Sequence, residues 1–222
     1  MSHTRTWRMA CVLGAGFAIA GCARNAQRGA VIGGAGGAVV GGAIGAATGS
    51  TAKGAIIGAA VGGAAGSIIG DQMDRRAREI HNDIPGAKVE RVGEGILVTF
   101  ETGLLFGVDS SLVRPAAQQN LRNLAAHLAK YPDTDLLIVG HTDSTGTDSH
   151  NDALSNRRSA AVADYLVAQG VTRTRLRAEG RGEAEPVADN GSDSGRQQNR
   201  RVEVAIYANQ QMRDQAKRTA GS

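Results

Sequence analysis

Apolar and polar residues follow three different rhythms along this chain, and each rhythm predicts a different kind of element. From residue 29 to residue 70 the period is four. Glycine stands at 29, 33, 37, 41, 45 and 49, and again at 54, 58, 62, 66 and 70. Val31, Ile32, Val39, Val40 and Ile44 lie between the first set, and Ile56, Ile57, Val61, Ile68 and Ile69 between the second. Residues four apart share one helical face, so each set makes a stripe free of side chains. Such stripes let helix backbones approach closely, the small-xxx-small mode of membrane helices. A period of four exceeds 3.6, so the stripe drifts and implies right-handed crossing.

The metre slips by one at "STAK", which predicts a turn carrying Lys53. Helices over 29–49 and 54–70 would be about 31 Å and about 25 Å long at 1.5 Å per residue. Both lengths are near the hydrocarbon thickness of about 30 Å. In water each interior glycine costs about 1 kcal/mol relative to alanine, whereas in lipid a helix satisfies its own backbone. The expectation is a transmembrane helical hairpin over 29–70. Self-association into a homo-oligomer through the same stripes is equally physical, and the alternative is a flexible low-complexity spacer.

After Gly70 the rhythms are those of a folded domain. "DQMDRRAREIHNDIPGA" is charged and helical to about His81, and 71–86 reads as a linker closed by Pro85-Gly86. "KVERVGEGILVTF" alternates around a glycine-containing turn, as a strand or hairpin does. "PAAQQNLRNLAAHLAKYP" starts a helix at Pro115 and lines Leu121, Leu124, Ala125 and Leu128 on one face. "DLLIVGHTD" is a short buried strand. "DALSNRRSAAVADYLVAQG" is a second helix with Leu154, Ala161, Val162, Tyr165 and Leu166 as its stripe and Gly170 as its stop. "LRAEGRGE" and "RRVEVAIYA" add two strands. Helices alternating with strands predict a single α/β domain, a two-layer α/β sandwich of βαβαβ type over 87–208. The final 209–222 reads as a polar tail.

Charge and cysteine usage sharpen the N-terminus. "MSHTRTWR" is a short basic segment, and the apolar "MACVLGAGFAIA" after it is too short to span a bilayer. Residues 1–21 therefore read as a signal peptide. "IAGC" places small residues before Cys22 and resembles the lipobox of bacterial lipoproteins, which implies cleavage before Cys22 and acylation of that residue. Cys11 leaves with the signal. Residues 22–28 are then the lipidated N-terminus, held in membrane lipid by more than the two signals stable anchoring needs. Ala23 in place of Asp favours the outer membrane, by resemblance to enterobacterial sorting. Loss of Arg5 and Arg8 reduces the formal charge from +4 to +2, and no basic run is interleaved with aromatics, so nucleic acid is not an expected partner. Two crossings return the chain to the side of Cys22, which leaves the C-terminal domain in the periplasm.

Four motifs in the domain carry a specific resemblance. "LFGVDSSLVRP", "GHTDSTGTDSHNDALSNRRSAAVADYLVAQGV" and "GRGEAEPVADNGSDSGRQQNRRVEV" resemble, in order and spacing, the OmpA-like peptidoglycan-binding domain. They are similar to its pattern of TD, NxxLSxxRA, GxGxxxPxAxN and GRxxNRRVE over roughly 87–208. With the lipobox and glycine segment in front, the chain resembles the glycine-zipper OmpA-family lipoproteins of outer membranes. It departs at Ser159, where alanine is usual, and at Val108, where an aromatic is common.

"GHTD" ends a strand and "ALSNRR" begins a helix, so Asp143 and Arg158 can face each other across the crevice between them. A carboxylate opposite a guanidinium clamps a zwitterionic amino acid, ammonium to Asp143 and carboxylate to Arg158. The alternative is that the two simply pair with each other. The resemblance implies the first role, with the diaminopimelate end of peptidoglycan stems as ligand. It implies supporting positions at Thr142, Asn151 and Leu154, and a bordering loop bearing Phe106 and Asp109. Arg200 and Arg201 are expected to fix the last strand or neighbour glycan.

An enzyme is not the expectation. Ser144, His141 and Asp143 are adjacent in sequence, but a triad is a spatial arrangement. The histidines lack metal-ligand spacing, and no cofactor motif is present. The expected function is a wall tether in the outer membrane. A stator or secretion-system component with the same wall-binding domain is the competing expectation.

Overall fold

The computed structural model describes residues 49–222, and the first glycine run and Cys22 lie outside that range. Within it, the second glycine run does not form one helix. Ser50 caps α1 (Thr51–Gly58), its Oγ accepting from the Lys53 N–H at 3.2 Å, so "TAK" is the first turn of the helix rather than a hairpin turn. The chain then breaks at 59–62. Gly62 and Gly63 both take positive φ, and the Glu94 carboxylate accepts from the Val61 and Gly62 N–H groups at 2.8 Å each. A new helix, α2 (Gly63–Asp83), joins the last zipper glycines to the charged stretch expected to be a linker. The expected membrane helix over 54–70 is thus replaced by two helices. Among the described residues no helix is long and apolar enough to cross a membrane. The physical reason is a competing partner: Ile56, Ile69 and Met73 are fully buried in the domain's own cores.

The alternating stretch forms a hairpin of β1 (Ala87–Val92) and β2 (Gly95–Glu101), with Gly93 at positive φ in the two-residue turn. A one-turn helix, α3 (Thr102–Leu105), leads to the loop before α4 (Pro115–Lys130), which starts on proline at its first position. Strand β3 (Thr134–Gly140) is followed by α5 (Asp148–Ala168), capped by Thr147 and stopped at Gly170 with φ of 96°. The chain returns as β4 (Leu176–Gly180), then α6 (Asp193–Asn199) and β5 (Arg201–Ala208). The stretch expected to be a polar tail is helix α7 (Gln210–Ala220), which buries Met212 and Ala216. Two buried side chains one turn apart suffice to dock a helix whose composition is otherwise polar.

The described residues form a mixed α/β fold: one five-stranded sheet in the order β1-β2-β5-β3-β4, with seven helices. Only β3 and β4 pair in parallel, joined by the α5 crossover. The sheet's inner face (Ile96, Val98, Phe100, Leu136, Ile138, Val202, Val204, Ile206) packs with residues of α2, α4, α5 and α7 in the main core. Alternate residues Leu97, Leu137, Val139 and Ala205 form a second cluster with Ala52 and Ile56 of α1. So α1 adds a partial third layer to the two-layer sandwich.

Candidate functional site

The site is built where β3 ends and α5 begins, and two glycines let those elements close. A Cβ on Gly140 would lie 2.3 Å from the Ser155 carbonyl oxygen, and one on Gly180 would lie 2.4 Å from the Asn156 nitrogen. Both strand ends are therefore pressed against the second turn of α5. Asn151, Leu154, Ser155 and Arg158 follow the helical spacing that places them on one face, and all four are buried.

Asp143, three residues past the end of β3, is buried apart from about a tenth of its side chain. Its Oδ1 accepts from the Thr145 N–H at 2.9 Å, and its Oδ2 accepts from Arg200 Nη1. Burial pushes the Asp143 carboxyl upward, but the Thr145 N–H and the Arg200 guanidinium outweigh it and hold it below the usual range. The Asn151 side chain donates to the Asp143 carbonyl oxygen at 3.2 Å and to Glu183 at 2.7 Å. Thr142 is buried, its N–H on the Gly182 carbonyl at 2.9 Å, while its Oγ1 has no hydrogen-bond partner among the described residues.

Arg158 is 4% exposed and is held by the loop after α3. Its Nε donates to the Ser110 carbonyl oxygen at 2.9 Å and its Nη2 to that of Gly107 at 3.4 Å. Its guanidinium carbon lies 5.6 Å from the centre of the buried Phe106 ring. Of five N–H groups, three on Nη1 and Nη2 remain for another acceptor. Burial lowers the affinity of this guanidinium for its proton, Arg157 and Arg200 add to that, and Asp109 and Asp143 oppose it. Asp109 sits at the loop's apex with φ of 50°, and its carboxylate pairs with His150 Nε2 at 2.9 Å.

The structure places Asn151 against Asp143, Phe106 and Asp109 beside Arg158, Thr142 buried next to Asp143 in sequence, and Leu154 buried on the same helix as Asn151 and Arg158. Asp143 and Arg158 do not pair with each other. The partner of Asp143 is Arg200, which the sequence suggested would fix the last strand or neighbour glycan. The two arginines at the entry to β5 part company: Arg201, its first residue, is buried against Glu203 at 2.8 Å, and Arg200, just before it, pairs with Asp143. Period-two alternation at the start of a strand is the signal that separates them. Nothing local in the sequence reports the backbone acceptors of Ser110 and Gly107. Among the described residues no group of His, Cys, Asp and Glu side chains could hold a metal ion.

Fold and crevice together define a class. The chain belongs to the OmpA family, whose sequence profile matches residues 105–200, and a YMGG-like Gly-zipper profile matches residues 1–74. Among curated proteins it is 36% identical to "Probable lipoprotein YiaD" of Escherichia coli (strain K12), over 62% of this chain and 64% of that protein. It is 44% identical to "Outer membrane porin F" of Pseudomonas fluorescens, over 52% of this chain and 35% of that protein. The chain therefore spans between about a third and two thirds of these relatives. Among solved structures, the cell wall anchor of the T6SS from Pseudomonas aeruginosa is 36% identical with a TM-score of 0.56, covering 62% of this chain and 99% of that one.

Proposed function

We propose that this protein is a non-catalytic tether of the cell envelope, which grips uncrosslinked peptidoglycan stems through the amino-acid end of diaminopimelate. One observation carries the reading: Asp143 and Arg158 face one crevice without pairing, and Arg158 keeps unengaged N–H groups held in place by two loop carbonyls. A zwitterion entering there places its ammonium on Asp143 and its carboxylate on Arg158, each through a charge-assisted hydrogen bond. Thr142, Asn151 and Leu154 shape the floor, and Phe106 and Asp109 fix the wall. The similarity to a wall anchor over nearly all of that protein's length supports the same ligand class.

In this reading residues 1–21 are removed and Cys22 is acylated. The glycine segment 29–48 lies at the membrane, and the domain stands in the periplasm below the outer membrane. Similarity to a lipoprotein and to an outer-membrane porin supports that location. Retention on isolated peptidoglycan tests the clamp: Asp143→Ala and Arg158→Ala are expected to release the protein, and binding equal to wild type removes the assignment. A second reading, a secretion-system component using the same domain, is favoured by the relative that anchors a T6SS. Mass spectrometry of the mature N-terminus separates them, because an unmodified Cys22 removes the lipoprotein reading.

A further inference from the structure

Asp143 engages both carboxylate oxygens within the chain, one on the Thr145 N–H and one on Arg200. An ammonium that binds Asp143 must therefore displace Arg200 or share the carboxylate with it. The Arg200 side chain is 41% exposed, so turning it toward water vacates no packed core, whereas Asp143 is 9% exposed and held by the Thr145 N–H. Arg158 already feels both groups: the positive charge of Arg200 works against it and the negative charge of Asp143 supports it. Asp143 is the buried carboxylate between the two guanidinium groups, with Asp109 acting on Arg158 from the loop and Glu183 held by Asn151.

We infer that Arg200 is a specificity-determining residue, which makes the crevice accept an ammonium only when a carboxylate is attached to the same carbon. The inference rests on the wall-binding reading and deepens it. A plain amine on Asp143 adds a third cation beside Arg158 and leaves Arg200 without its partner. Like charges so placed are costly, and the displaced guanidinium gains nothing in exchange. An amino-acid end brings its own carboxylate, which lands between Arg158 and Arg200 and replaces what Arg200 gave up. The crevice thus discriminates by exchange of partners: one internal ion pair opens and two intermolecular ones form. The ligand class is a side-chain amino acid such as diaminopimelate, and the rejected class is its lysine counterpart, which lacks that carboxylate. This is rejection through an unpaired charge as well as attraction through a paired one.

Calorimetric titration of the full chain with two tripeptides, L-Ala-γ-D-Glu-meso-diaminopimelate and L-Ala-γ-D-Glu-L-Lys, tests this. Wild type is expected to prefer the first. Arg200→Gln is expected to bind the lysine peptide better than wild type does, narrowing the preference about tenfold, the scale of one charge-assisted hydrogen bond. Arg200→Lys, which keeps the charge, is expected to keep most of the preference. The readout is a ratio within one protein, so a partly inactive preparation does not alter it. A preference unchanged in Arg200→Gln overturns the inference while leaving wall binding intact. Failure of wild type to bind either peptide overturns the wall-binding reading and the inference with it. Carboxyl NMR without peptide gives an independent check: Asp143 is expected to protonate at higher pH in Arg200→Gln, and no change overturns the pairing.

Discussion

His141 and Glu203 lie side by side in the interior, Nε2 at 3.5 Å from Oε2, with side chains 1% and 4% exposed. Burial pushes the His141 imidazole down and Arg201 adds to this, against the pull of Glu203 and Glu185, so the folded protein takes up that proton less readily than a free imidazole does. Burial works to raise Glu203, but His141 and Arg201 outweigh it and lower it to about 2. The unfolded chain binds a proton at His141 near pH 6.5 and the folded chain binds it less readily, so stability falls as pH drops below that value. One proton sets a limit of about 1.4 kcal/mol per pH unit on that slope. Glu203 contributes fully above about pH 4.3, and its contribution is lost only as pH falls toward about 2. Urea denaturation of His141→Gln between pH 6.5 and 5 is therefore expected to give a flatter profile than wild type. Parallel profiles would show that His141 protonates in the folded state.

The Arg76 guanidinium on α2 meets Asp133 with two hydrogen bonds of 2.9 Å and lies 4.2 Å over the Tyr131 ring. The side chain of Arg76 is 8% exposed and that of Asp133 25%. Arg76→Ala is expected to destabilise the domain by about 2 kcal/mol, below the full cost of breaking a wholly buried pair because Asp133 reaches water. Arg76→Lys recovers little, since an ammonium cannot form the fork. Denaturant midpoints of the three proteins decide it.

Gly140→Ala places a Cβ against the Ser155 carbonyl oxygen, a backbone atom that cannot rotate away. The expected loss is about 2 kcal/mol, typical of overpacking. Because α5 carries Arg158, retention on peptidoglycan is expected to fall further than stability explains. Wild-type retention at a temperature where the variant is fully folded refutes the spacing argument.

Ile56 is fully buried, although it belongs to the glycine-rich run. Gly95 makes room for it, since a Cβ there would stand 2.5 Å from Ile56 Cγ2. Ile56→Ala is expected to cost about 3 kcal/mol, as for other large-to-small core changes. If α1 is an appended helix and no part of the domain, the melting temperature stays unchanged.

The domain's elements were legible because their signals are local. Pro115, the stripe from Leu121 to Leu128, the alternation around Gly93 and the stop at Gly170 all depend on neighbours a few residues away. The crevice was legible through a strand end and a helix start separated by a short loop. What stayed hidden depends on distant partners. Glycines four apart read the same whether their apolar neighbours face lipid or a sheet, and only the apolar outer face of that sheet, Leu97, Leu137 and Val139, decides for Ile56. Glu94 breaks the run from 32 residues away, through hydrogen bonds no window of sequence contains. Arg200 and Arg201 look alike in sequence, and the start of β5 turns one inward and the other to Asp143.

The hydrogen bond from Ser50 to Glu203 has a mechanical consequence. A load arriving from the N-terminal side enters at Ser50 and Thr51, which are fastened to Glu203 of β5 and to Glu185. The residue just before β5 is Arg200, on the crevice. If the protein is the tether proposed, tension between membrane and wall enters the sheet at the same strand end that presents Arg200 to Asp143.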